Sequence, residues 1–146
     1  MGDQVKTLPS AKETTVTRIL SADRDVDEAV AGESVTICFA DEVDTSRGDL
    51  ICAADNPAEV ADQFQARIFW MAEQDMLPGR RYLMKIGSKT VTAQINETKY
   101  KIDMADLQDR PSRLLSLNEV GVCTLGLDEP VPYDPYNQVR ETGGFI

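Results

Sequence analysis

The chain has 146 residues, 42% of them hydrophobic, with 25 Asp and Glu against 15 Lys and Arg, a formal net charge of -10 and no histidine. That length holds one domain or two small ones, the apolar content excludes a disordered chain, and no apolar run approaches the roughly 18 residues that span a bilayer. The acidic balance argues against nucleic-acid and anionic-membrane partners, and without histidine no Ser–His or Cys–His nucleophile system can form within the chain.

In chain order the texture is that of a β protein, with short alternating runs bounded by Gly, Pro, Asn and Asp. No charged-then-apolar leader opens it, because Asp3, Gln4, Lys6 and Thr7 break the apolar pattern, and the expected compartment is the cytoplasm. Residues 14–20 (T-T-V-T-R-I-L) are dense in β-branched side chains. Residues 33–39 (E-S-V-T-I-C-F) put Val35, Ile37 and Phe39 on one face of a second strand. Residues 49–53 make a third, shorter one. A linker is expected at 53–57 (A-A-D-N-P), followed by one helical turn over 56–63, where Asn56 resembles a cap and Pro57 a first helical residue.

Residues 65–71 (Q-A-R-I-F-W-M) become apolar on both faces, which predicts cover on both sides. Residues 81–86 and 89–101 flank Gly87-Ser88, a type II′ hairpin signal. The second arm exceeds a usual strand, so a bulge is expected near Asn96-Glu97. Residues 104–115, with a Pro and mixed charge, read as a crossover loop holding at most one helical turn, residues 120–127 as a strand, and another strand begins at Gly143.

The cysteines Cys38, Cys52 and Cys123 form no C-x-x-C and lie in apolar runs (I-C-F, I-C-A, V-C-T), which reads as small buried hydrophobes. Asp23 to Glu28 lack the glycine and terminal glutamate of an EF-hand register and read, like 41–44, as a solvated loop. Trp70, Tyr82 and Tyr100 fall at strand spacing and read as core. Tyr133 and Tyr136, among prolines, are a candidate partner surface. No catalytic or metal-ligating set is identified.

Residues 46–51 (S-R-G-D-L-I) contain Arg47-Gly48-Asp49, which outside a cell would suggest an adhesion ligand. Here Gly48 precedes an entering strand, and a turn is the preferred reading.

The frame A-V-A-G-E-S-V at 29–35, followed by R-G-D-L-I at 47–51, resembles the second domain of the translational GTPase family, whose best-known member is elongation factor Tu. Farther on come I-F-W-M-A-E-Q at 68–74, P-G-R-R-Y at 78–82, L-N-E-V-G at 117–121, D-E-P at 128–130, and D-P-Y followed by T-G-G-F-I over 134–146. Together these closely resemble the large, GTPase-bearing subunits of bacterial sulfate adenylyltransferase, and equally the nodulation-type fusion with adenylylsulfate kinase.

The resemblance implies an all-β chain of two small elongation-factor-Tu-like β-barrels, both incomplete. Residues 1–53 would be part of the second barrel and 54–146 most of the third, with the GTPase domain absent, since no G-x-x-x-x-G-K-[ST] loop occurs. Family-signature turns fall at Gly32, Arg47, Gly48, Asn118, Gly121 and Gly143. The implied role is non-catalytic, coupling the GTPase domain to the small catalytic subunit that makes adenylylsulfate and pyrophosphate from ATP and sulfate. The segment alone is expected to be inactive and to hold no cofactor, GTP and magnesium belonging to the missing domain. Expected partners are that GTPase domain, the small subunit, and a second copy through open barrel edges, with no nucleic acid and no membrane. The alternatives are a stand-alone β-barrel interaction module and a translation-factor piece that binds tRNA.

Overall fold

Ten strands and one helical turn make up the fold, which a computed structural model describes for residues 1–146. β1 (Gln4–Leu8), β2 (Lys12–Ser21), β3 (Arg24–Val26), β4 (Thr36–Phe39) and β5 (Leu50–Ala53) form one antiparallel sheet in the order β3-β2-β1-β5, with β4 also pairing to β2. The threonine-rich run at 14–20 lies wholly within β2, where its inward side chains Thr14, Val16 and Ile19 are buried.

Only Thr36–Phe39 of the run at 33–39 enters the ladder, pairing with β2 between Val16 and Leu20. Val35, Ile37 and Phe39 do share a face, packed on the small core of Val5, Val16 and Ile19.

β6 (Glu59–Phe69), β7 (Arg81–Ile86), β8 (Lys89–Ile102), β9 (Asp109–Arg110) and β10 (Val120–Tyr133) form the second sheet, ordered β6-β10-β8-β7 with β9 beside β8. The hairpin is where the sequence places it, and of its turn residues only Gly87 has positive φ (+56°), as a type II′ turn requires. Opposite β10, the register of β8 skips Asn96 and Lys99, so this 14-residue strand bends near the expected point. Ten buried side chains, among them Met76, Leu115, Cys123, Leu125 and Val131, form the main core.

Several expectations are corrected. The helical turn at 56–63 does not form. Pairing of Glu59, Val60 and Ala61 with Tyr133, Pro132 and Val131 draws that segment into β6, and tertiary pairing overrides the cap-like Asn56-Pro57. The end of the run at 65–71 is not covered on both sides, since β10 flanks β6 along one edge and Phe69 and Met71 stand exposed. The strand at 120–127 continues to Tyr133 across an irregularity between Gly126 and Val131, where the Thr92 N–H donates to Asp128 Oδ1 at 2.9 Å. No strand begins at Gly143. Arg140–Gly143 is a helical turn, α1, and ladder contact starts only at Phe145, opposite Ile86. Of the cysteines, Cys123 is buried, whereas Cys38 and Cys52 are half-buried.

Neither sheet closes on itself. Between the free edge of β6 and the Phe145–Ile146 segment lies an apolar groove of about 1050 Å³, lined by Phe64, Ile68, Tyr82, Met84 and Phe145 among others.

Candidate functional site

Gly48 sits where the two sheets touch. Its φ is +99°, and a Cβ placed there would come within 2.9 Å of the Lys89 Cβ, beside the turn of the β7–β8 hairpin. The turn is closed locally: the Asp49 N–H donates to the Ser46 carbonyl at 3.0 Å, and the Ser46 N–H donates to Asp49 Oδ2 at 2.8 Å. Asp49 thus spends its carboxylate on the turn, and Gly48 is pressed against a neighbour. That geometry fits a joint between sheets and does not fit a ligand offered on a free loop. Arg47 is exposed. Lys89 itself is largely covered and pairs with Glu129 at 3.0 Å.

The other signature residues are spread out. Gly32 lies in the loop before β4 with φ +92° and nothing near its Cβ position. Asn118, at φ +66°, shapes the turn entering β10. There the Ser116 N–H donates to Glu119 Oε2 at 2.9 Å and Lys101 Nζ donates to Glu119 Oε1 at 2.7 Å. The Lys101 bond first, then that from Ser116, holds the Glu119 carboxyl below its ordinary range. Gly121 follows on β10, where a Cβ would meet Leu115 Cδ2 at 2.6 Å. Gly143 closes α1 against the backbone of Asp134 and Tyr136, a Cβ there meeting the Asp134 carbonyl at 2.5 Å. Asn118 and Gly121 are therefore brought together, Gly143 joins the tyrosine segment, and Gly32 stands apart.

The two tyrosines part company. Tyr133 is half-buried, edge-on to Phe64 with ring centroids 5.0 Å apart, and donates to Glu59 Oε2 at 2.7 Å. That bond, ahead of burial, pushes its hydroxyl pKa up. Tyr136 is exposed, with the Arg140 guanidinium 6.0 Å from its ring centre. Trp70 and Tyr82 meet edge to face at 5.4 Å and pack on the main core, while Tyr100 lies outside that pair, opposite Val122 on β8.

No group of three or more His, Cys, Asp or Glu is placed to hold a metal ion. The shifted carboxylates all answer to ion pairs or to turn N–H groups. No step of chemistry is assigned to these residues. No helix is long and apolar enough to cross a membrane.

The crossover loop read at 104–115 contains the short β9, and its start, between β8 and β9, is more ordered than the sequence suggested. Asp103 Oδ1 accepts from the Ala105 N–H at 2.9 Å, Asp106 Oδ1 accepts from the Gln108 N–H at 3.0 Å, and Arg110 bridges both carboxylates at 2.7 and 2.8 Å. The bond from Ala105, ahead of the charge of Arg110, lowers the Asp103 pKa. The spacing of Asp103 and Asp106, each two residues before the N–H it accepts from, was the available signal.

Residues 63–146 match the family described as GTP-eEF1A C-terminal domain-like. Over 99% of its length the chain is 46% identical to a bifunctional enzyme CysN/CysC of Xylella fastidiosa, covering 23% of that protein. Over its whole length it is 42% identical to sulfate adenylyltransferase subunit 1 of Aeromonas hydrophila, covering 31% of it. The chain thus spans about a quarter to a third of the curated relatives it matches. Among solved structures, sup35 complexed with GDP superimposes on 99% of the chain with a TM-score of 0.86 at 19% identity, the match taking in 36% of sup35. Elongation factor SelB of Methanococcus maripaludis, in complex with a GTP analogue, covers 92% of the chain at a TM-score of 0.71 and 22% identity, through 30% of its own length. These likenesses establish the elongation-factor type of β-barrel fold.

Proposed function

We infer the function of this chain from what it is: it belongs to the GTP-eEF1A C-terminal domain-like family. It serves as a non-catalytic barrel segment of a GTP-hydrolysing sulfate adenylyltransferase subunit. In that assembly a companion subunit transfers adenylyl from ATP to sulfate, releasing pyrophosphate, and the barrels couple GTP hydrolysis to that step. GTP and magnesium bind elsewhere in the longer protein, and the assembly works in the cytoplasm. The observation that carries this reading is the 42% identity to a sulfate adenylyltransferase subunit 1 over every residue of the chain. Two features support a coupling role. The first is the close approach of Gly48 to Lys89, which sets the turn before the first sheet's last strand against the hairpin of the second; the second is that the match to subunit 1 runs across both sheets.

Calorimetric titration tests it. GTP with magnesium is expected to give no heat of binding to the chain, and the companion subunit of Aeromonas hydrophila sulfate adenylyltransferase is expected to bind saturably. Micromolar GTP binding would sink the assignment. Tight, salt-sensitive binding to tRNA would favour the translation-factor alternative, which the net charge of -10 weighs against.

A further inference from the structure

Strands β6 and β8 finish and β10 begins at one end of the second sheet, where Phe69 pairs with Val120 and Val120 with Ile102. Three loops gather there. The Trp70 N–H donates to the Glu119 carbonyl at 2.9 Å and the Asn118 N–H to the Trp70 carbonyl at 2.8 Å, joining the loop after β6 to the one before β10. The loop 103–108 projects directly from the end of β8. The opposite end holds the β7–β8 turn that meets Gly48, so this end faces away from the first sheet.

Five large apolar side chains stand in solvent at this end, Phe69 on the last residue of β6 and Met71, Met104, Leu107 and Leu117 on the loops. Isolated exposed hydrophobes need no explanation, but five at one end of one sheet do. The tip formed by Met104 and Leu107, 63% and 72% exposed, is also tied down by hydrogen bonds and ion pairs. Besides the Arg110 clamp, the Leu107 N–H donates to the Asp103 carbonyl at 2.7 Å and the Asp103 N–H to the Gln108 carbonyl at 2.9 Å. Leu107 is kept at φ +58°, a backbone angle unfavourable for leucine. A strained residue persists where its surroundings over-determine it. Here they hold an apolar side chain outward, and a pre-ordered loop loses little freedom on binding. Around this end the segments 69–76 and 103–119 carry Glu73, Asp75, Asp103, Asp106, Asp109 and Glu119 against Arg110 and Arg113.

We propose that this free end of the second sheet is the docking surface for the companion subunit that the relatives' name, subunit 1, implies. The Met104–Leu107 tip is its apolar anchor. The matching patch on the companion is an apolar depression rimmed by Lys and Arg, since anchors give affinity and complementary rims set the rate of encounter. This rests on the function proposed above and names the surface that carries it.

The test is binding of the 146-residue chain to the Aeromonas hydrophila companion subunit, read by calorimetry and by association rate against salt. The double variant Leu107→Asn with Met104→Gln removes the anchor without endangering the loop, because asparagine adopts the left-handed region readily. An unchanged circular dichroism spectrum and melting curve check that. The expected result is a loss of affinity of about tenfold or more, a wild-type association rate that falls with salt, and no effect from Leu83→Gln on the outer side of β7. Equal affinity of wild type and double variant overturns the proposal and leaves the proposed function standing. Failure of the wild type to bind overturns both. Loss of self-association in the double variant, with companion binding intact, gives the surface to a second copy and overturns the assignment made here.

Discussion

An alanine at position 48 would place its Cβ 2.9 Å from the Lys89 Cβ while holding a φ of +99°. Gly32 isolates the second of these demands, having φ +92° and open space around it. Gly32→Ala is therefore expected to cost about 1 kcal/mol, the backbone term alone. Gly48→Ala should cost about 2–3 kcal/mol, because Lys89 must also move. Urea unfolding of the two variants measures the difference, and equal costs would show that the turn does not bear on the hairpin. A second expectation at this scale concerns acid. Asp103 and Glu119 have folded pKa values below their ordinary ones, the first through Ala105 and then Arg110, the second through Lys101 and then Ser116. Depressed carboxyls contribute stability above their unfolded pKa and lose it as pH falls through the folded one. The loop 103–110 and the turn at 116–119 should be intact at neutral pH and begin to loosen below about pH 4. Amide exchange at Ala105 and Ser116 followed by NMR reports this, and protection unchanged to about pH 2 would contradict it.

Within the elements, burial rather than residue type decides what a substitution costs. Leu125 on β10 is 2% exposed and Leu83 on β7 is 78% exposed. Leu125→Ala should destabilise by about 3 kcal/mol, and Leu83→Ala should stay within about 0.5 kcal/mol. A large effect at Leu83, read by the same denaturation, would mean that something covers the outer face of β7. The elements also separate what a sequence can disclose from what it cannot. The β7–β8 hairpin was legible because its cause is local, a Gly-Ser turn between two alternating runs. The first half of β6 was not: E-V-A-D-Q-F alternates poorly, Asn56-Pro57 imitates a helix start, and the strand exists because residues 131–133 lie alongside. Among the functional candidates, Gly48 was readable as a turn because glycine goes with positive φ, whereas Asn118, also at positive φ, entered only through the family resemblance. The Met104–Leu107 tip was not, since two apolar residues in a polar loop carry no weight until the sheet brings three loops to one end.

Across the whole molecule the two sheets are unequally supported. The second has a cluster of ten buried apolar side chains and the first a cluster of three. Local stability follows buried contacts, so amides of β2 and β4 should exchange faster than those of β8 and β10, and faster still in Gly48→Ala if the first sheet leans on the hairpin. Both sheets also leave strand edges unpaired. On the second sheet the free edge of β6 borders the apolar groove, and across it Lys85 and Ile146 exchange backbone hydrogen bonds at 2.6 and 2.9 Å, so a ladder is begun on that side. Unpaired edge groups next to apolar surface are a template for another strand. The net charge of -10 opposes contact between copies, and it is screened as salt rises. Sedimentation velocity of the purified chain should accordingly show self-association that grows with concentration and with salt. Placing lysine at Ala66 or Ile68, whose side chains line the groove, should abolish it. A clean monomer under all these conditions would mean that the exposed edge of β6 is protected by something other than a second strand.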